Sequence, residues 1–205
     1  MKKLVIDFDY TVFNTTAMRQ AFVDVLVANH DISPEMYHAA ERQIVETHGG
    51  YLLDAHLAAL AVDAEEQAIM MRHCLEVLKG AGQWIYSDVK VALEAARESG
   101  VHVTLLSLGD PQWQELKIDA SGIAQWCDEV LVTASPKVEQ AAVFVGDDIV
   151  CVNDKGAEID EIAGKYPDIQ WFWVTRPEAP YIHFIPKTTH VQVSSFSEIS
   201  AILTA

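Results

Sequence analysis

The chain has 205 residues, 50% of them apolar, which is enough for one large domain or one domain with a sizeable insert and excludes a disordered chain. Its formal net charge of −16 repels nucleic acid and anionic lipid, so neither is expected as a principal partner. The same charge repels anionic substrates, and a phosphate site in this chain therefore needs cations of its own.

The three cysteines, Cys74, Cys127 and Cys151, are widely spaced and form no CxxC pair, and they read as reduced thiols of a cytosolic protein. The eight histidines are scattered, with no HxH or HxxxH spacing, and give no zinc signature. Met1-Lys2-Lys3 before an apolar run resembles the start of a signal peptide, but Asp7 and Asp9 interrupt the run too early. No stretch reaches the ~20 apolar residues of a membrane span. The expectation is a cytoplasmic protein, monomeric or homodimeric, with a small-molecule partner and no membrane association.

In chain order, Leu4-Val5-Ile6 is a short β-branched run that predicts a buried strand. Helices are then predicted over Ala17 to Asn29, from Ser33 with Pro34 in its first turn, over Tyr51 to Ala61, and from Asp63 to just before Gly80. No strand interrupts residues 15–85. Ser87 to Glu98 reads as an amphipathic helix, Val101 to Leu106 as a strand, and 111–126 as one or two helices. Glu129 to Thr133 and Ala141 to Val145 read as strands, Asn153 to Lys165 as a helix, Ile169 to Val174 and Val191 to Val193 as strands, and Ser197 to Leu203 as a closing helix. Continuous apolar strands alternating with helices predict an α/β fold, a parallel sheet covered on both faces. The helical block at 15–85 reads as an inserted cap, leaving 1–14 and 86–205 as the core. Trp171, Phe172 and Trp173 read as sheet packing. Arg19, Arg42 and Arg72 read as surface charges.

Ligands of an open parallel sheet bind outside the carboxyl ends of its strands. Asp7, Asp9 and Thr11 follow the first predicted strand, and Ser107, Leu108 and Gly109 close the second. Lys137 follows the third, and Asp147 and Asp148 follow the fourth. Asp7 and Asp9 are two residues apart, so in extended backbone they share a side. Carboxylates gathered there need a cation, and Mg²⁺ takes one or two carboxylates plus phosphate oxygens. With the metal present, Asp7 is suited to attack phosphorus. Asp9, with a raised pKa, is suited to protonate the leaving group and then activate water. Ser107 and backbone N–H groups near Gly109 suit phosphate oxygens, and Lys137 suits transition-state charge.

Asp7-Phe8-Asp9-Tyr10-Thr11, Leu105 to Gly109, Lys137 and Gly146-Asp147-Asp148 together resemble, in order, the four motifs of the haloacid dehalogenase-like (HAD) phosphohydrolases, and the resemblance covers essentially the whole chain. It implies a Rossmann-like three-layer core, a helical cap inserted after the first motif, Mg²⁺ and an aspartyl-phosphate on Asp7. It also implies a metal held by Asp7, the backbone carbonyl of Asp9, and Asp147 or Asp148. Departures from the pattern are Tyr10 where Gly or Asn is frequent, Asn14 where an Asp often follows, and a short interval between Lys137 and Asp147. Asn153 reads as a hydrogen-bonding residue behind the site acids or as a helix cap. The leading expectation is a Mg²⁺-dependent phosphatase for a small phosphomonoester, because the dehalogenase branch lacks the second acid found here as Asp9. The alternatives are a phosphotransferase or mutase of the same family, or a non-catalytic module that retains the fold.

Overall fold

Six strands carry the molecule in the computed structural model, which describes residues 2–203. They are β1 (Lys3–Ile6), β2 (His102–Leu108), β3 (Glu129–Thr133), β4 (Ile149–Asn153), β5 (Gln170–Val174) and β6 (Val191–Val193). All pair in parallel, in the order β3-β2-β1-β4-β5-β6. The chain fills one side of β1 before crossing to β4, so the topological switch point lies between β1 and β4. A ligand crevice is expected at their carboxyl ends.

β1 shows why the strands read as unbroken apolar runs. Leu4 and Ile6 pack into one hydrophobic cluster and Val5 into another on the opposite face, because successive side chains of a strand alternate. The aromatic run in β5 divides the same way, with Phe172 on the first face and Trp171 and Trp173 on the second. Helix α7 (Gly156–Lys165) covers the second face; α5 (Ser87–Glu98), α6 (Pro111–Ser121) and α8 (Phe196–Leu203) contribute to the first.

Between β1 and α5 the chain forms α1 (Thr15–Asn29), α2 (Pro34–His48), α3 (Leu53–Leu60), α4 (Ala64–Leu78) and a 3₁₀ turn at Ala81–Trp84. The starts are local. Ser33 Oγ accepts from Met36 N at 3.3 Å with Pro34 in the first turn, and Asp63 Oδ1 accepts from Glu65 N and Glu66 N. Phe22, Leu26, Leu57, Met70 and Cys74 of these helices share one cluster with Leu4, Ile6 and Leu105 of the sheet. The two places where the chain enters and leaves this helical insert lie side by side. Asn14 N donates to Trp84 O (2.8 Å), Tyr86 N donates to Val12 O (3.1 Å), and Phe13 and Ile85 form an antiparallel bridge.

Two expectations fail together. Ala141 to Val145 is not a strand: Ala141–Val143 is a 3₁₀ turn, and Val145 is 69% exposed. The fourth strand is the next apolar run, Ile149–Asn153, buried at every position as a strand between two neighbours must be. Asn153 accordingly ends β4 instead of beginning a helix, and α7 starts at Gly156.

Candidate active site

The carboxyl ends of β1 and β4 bring Asp7 and Asp154 together through one hydroxyl. Thr11 Oγ1 donates to Asp7 Oδ2 at 3.0 Å, accepts from Asp154 N at 3.1 Å and lies 3.5 Å from Asp154 Oδ1. Thr11 is fully buried, so its hydroxyl orders the two acids and is not presented to a ligand. Below it, Arg176 Nη2 donates to the Thr11 carbonyl at 3.3 Å. The same guanidinium grips both oxygens of Asp88 at 3.1 Å and lies over the Tyr86 ring. The backbone of the loop after β1 thus rests on a largely buried ion pair.

Lys137 reaches the site from a 3₁₀ turn after β3. Its ammonium donates to Asp7 Oδ1 and pairs with Glu158 Oε2 at 2.9 Å. Glu158 also accepts from Asn153 Nδ2 (3.1 Å) and Lys155 Nζ (3.0 Å). Asn153 Oδ1 accepts from Lys155 N at 2.8 Å, so Asn153 both aims Glu158 and closes the turn into α7.

Electrostatics separates these acids. Burial raises the Asp7 pKa, and Lys137 only partly offsets it. Burial, reinforced by the charge of Asp7, pushes Asp154 well above its ordinary 3.8. Burial would raise Glu158 too, but Lys137 and Lys155 overcome it and bring it down to about 2. Asp154 Oδ2 is buried without a hydrogen-bond partner, an uncommon condition for a carboxylate oxygen.

Asp9 departs from expectation. Lys117 Nζ lies 2.5 Å from Oδ1 and 2.7 Å from Oδ2, Thr15 Oγ1 donates to Oδ1 at 2.6 Å, and Gln114 Nε2 donates to Oδ2 at 2.9 Å. Burial alone would raise its pKa; Lys117, Thr15 and Gln114 outweigh burial and lower it. The raised pKa expected from the sequence is therefore corrected. Lys117, buried against Phe8 and Trp113, has a lowered pKa because desolvation outweighs its acidic partner.

Asp147 and Asp148 are a second correction. They precede β4, are exposed, and lie at the opposite end of the sheet, where Asp148 O accepts from Lys3 N at the start of β1. A metal shared with Asp7 cannot include them. The acid that stands beside Asp7 is Asp154, one past the true end of β4.

Ser107, buried, and Leu108 end β2 beside Val132 and Thr133. The Gly109 N–H is donated to Thr133 O (2.9 Å) and so is not free for phosphate. Gly109 has φ +156°, and a Cβ there would stand 2.7 Å from Gln114 Nε2; only glycine lets Gln114 reach Asp9. Tyr10 has φ +60°, a left-handed conformation rare for a bulky residue. Its hydroxyl accepts from Arg19 Nη1 at 3.1 Å, and its ring meets Tyr181 edge-on. Arg19, read as a surface charge, is instead joined to Glu41 (3.0 Å) and lies over the Tyr51 ring, tying α1 and α2 to the loop after β1.

Asp154, Glu158, Gln114 and Lys117 escaped the sequence reading. The first two follow the apolar run Ile149 to Val152 at one and five residues past its closing Asn153. The other two are three apart on α6 and so share a face.

No protein-family model matches the chain, and no curated protein matches it in sequence. Solved structures do match along its whole length. A haloacid dehalogenase-like hydrolase from Burkholderia xenovorans LB400 superposes with a TM-score of 0.76 at 16% identity, covering 98% of each chain. The HAD hydrolase YfnB from Bacillus subtilis, bound to magnesium, gives 0.66 at 14% identity, covering 100% of this chain and 99% of that one. A HAD phosphatase from Thermococcus onnurineus gives 0.60 at 16% identity, covering 99% and 98%. L-2-haloacid dehalogenases are among the other matches. At these identities the likeness is one of fold: this chain has the fold of the HAD-like hydrolases.

Proposed function

We propose that this chain, built on the fold of the HAD-like hydrolases, is a Mg²⁺-dependent phosphatase of a small phosphomonoester, with Asp7 as covalent nucleophile and the helical insert as its cap. The observation that carries this reading is the unpartnered buried oxygen of Asp154 beside Asp7. Two buried carboxylates on adjacent strands, one with an oxygen left over, are a hard-cation donor set. Asp7, Asp154 and the Asp9 carbonyl are the groups that would hold Mg²⁺. The ion would supply charge neutralisation of the phosphoryl oxygens. A dehalogenase has no use for such a cation, which favours the phosphatase among the activities borne by proteins of this fold.

The chain's own groups divide the remaining work. Lys137 keeps Asp7 turned and charged, and Glu158 keeps Lys137 in place. Asp7 attacks phosphorus and forms an aspartyl-phosphate. Asp9, as the carboxylate that Lys117 maintains, is equipped to take a proton from the water that hydrolyses this ester. In the first step the proton for the leaving oxygen comes from the Lys117 ammonium by way of Asp9, and the proton taken from water in the second step restores it. Ser107, at the end of β2, is the side-chain hydroxyl for a phosphoryl oxygen.

The test is release of phosphate from a panel of phosphomonoesters with and without Mg²⁺. Turnover that needs Mg²⁺ and disappears in Asp7→Asn supports the reading. Activity retained in Asp7→Asn removes the nucleophile assignment, and halide release from 2-haloacids without Mg²⁺ replaces phosphatase with dehalogenase.

A further inference from the structure

We propose that His30 and His73 form a second cation site, for a borderline divalent ion of the zinc class, inside the helical insert. The two residues are far apart in sequence, so no motif announces them, yet His30 Nε2 and His73 Nδ1 face each other at 3.1 Å. Their rings are inclined by 57°. His30 ends α1, where its own N–H still donates to Leu26 O; His73 lies within α4.

Imidazole nitrogens bind Zn²⁺ at about 2.0–2.1 Å, which puts two ligands of one tetrahedral or octahedral ion about 2.9–3.4 Å apart. The observed separation falls inside that range. A carboxylate also stands behind His30. Glu66 Oε1 lies 3.5 Å from His30 Nδ1, and Glu66 Oε2 is itself fixed by the Val62 N–H at 2.8 Å. A carboxylate facing Nδ1 favours the proton there, which leaves the Nε2 lone pair directed at His73. Carboxylate behind, imidazole between, open lone pair in front is how proteins orient a metal-binding histidine. The His30 side chain is 6% exposed and His73 is half-buried, so the water that completes the shell reaches the ion from the His73 side.

Among the described residues no three His, Cys, Asp or Glu side chains are grouped to hold a metal, so the ion takes two protein donors and water. Such a site binds more weakly than a four-ligand zinc site. Its chemistry is imidazole nitrogen, which suits Zn²⁺, Ni²⁺ or Cu²⁺ and not Mg²⁺. Occupied, it cross-links the end of α1 to the middle of α4 and stiffens the insert.

The experiment titrates Zn²⁺ alone into the full chain at neutral pH, with excess Mg²⁺ present to occupy the carboxylates. One equivalent binds, the thermal midpoint rises, and His73→Ala weakens binding by about tenfold or more. Glu66→Gln weakens it by roughly tenfold through the loss of ring orientation, while His190→Ala changes nothing. Against the chance that His73→Ala fails to fold, Cu²⁺ bound to the unaltered chain is read by electron paramagnetic resonance, where coupling to two imidazole nitrogens is expected. No saturable binding, binding unchanged in a folded His73→Ala, or a copper spectrum without imidazole coupling overturns the proposal and leaves the pair as a hydrogen bond only.

Discussion

Lys117 Nζ lies within 2.7 Å of both carboxylate oxygens of Asp9, so the acid two residues from the proposed nucleophile is matched with a buried cation. Lys117→Met removes the largest influence that lowers the Asp9 pKa and leaves burial unopposed. The acid limb of the pH–rate profile then moves to higher pH. Phosphate release near neutrality falls by roughly 10²-fold, the usual size of a lost general base. An acid limb that stays in place in this variant assigns it to another group.

Asp154 and the Asp147-Asp148 pair are separated by one strand length and differ in every physical respect. Asp154→Asn abolishes the Mg²⁺ requirement together with the activity, because its orphan oxygen is lost. Asp147→Asn leaves turnover within about twofold, as for an exposed residue remote from the chemistry. Mg²⁺-dependent phosphate release on the two variants measures this. Equal damage from both returns the metal to the wrong end of the sheet.

The same acids set a pH dependence of stability. Asp154 has a folded pKa raised above 3.8, so the folded protein binds more protons than the unfolded chain as pH rises past that value, and stability falls until the folded pKa is passed. Glu158 is lowered from 4.5 to about 2, so its contribution is complete above 4.5 and is lost between 4.5 and 2 on acidification. A divalent cation removes the Asp154 penalty and not the Glu158 term. The rise in melting temperature on adding Mg²⁺ therefore grows from pH 4 to pH 7 and is absent in Asp154→Asn, as thermal melts across that range will read.

Arg176 carries the catalytic loop through the Thr11 carbonyl. Arg176→Met leaves Asp88, a half-buried acid, without its guanidinium partner, at a cost of about 2 kcal/mol. Arg176→Met with Asp88→Asn recovers part of that stability but not turnover, since the support under Thr11 stays missing. Chemical denaturation and kcat on the single and double variants separate the two effects.

The architecture was legible because its signals are local and strong. β3 and β6 fall where their apolar runs place them, and α5 spans the predicted residues. Ser33 and Asp63 start helices because their side chains satisfy the next free N–H groups whatever the tertiary fold. Asp7 was legible for a similar reason: it closes the only strand before a long helical stretch. The fourth strand was not. Ala141 to Val145 and Ile149 to Val152 are both apolar and β-branched, and choosing between them requires knowing which run pairs with Lys3 to Ile6. That single choice carried Asp154, the acid proposed for the metal, with it. Lys117 was hidden for another reason. A lysine on an amphipathic helix reads as solvent-facing, and only the sheet end beneath α6 supplies the carboxylate that lets it be buried.

Val12 and Tyr86, Asn14 and Trp84 stand hydrogen-bonded to one another although about seventy residues separate them along the chain. Once the helices between them have formed, β1 is effectively tethered next to α5. The pairing of Lys3 with His102 then closes a loop of about 25 residues, nine before Val12 and sixteen after Tyr86, where the sequence implies about a hundred. The entropic cost of closure grows only slowly with loop length, so this tether lowers the cost of registering the central strand with β2 by about 1 kcal/mol.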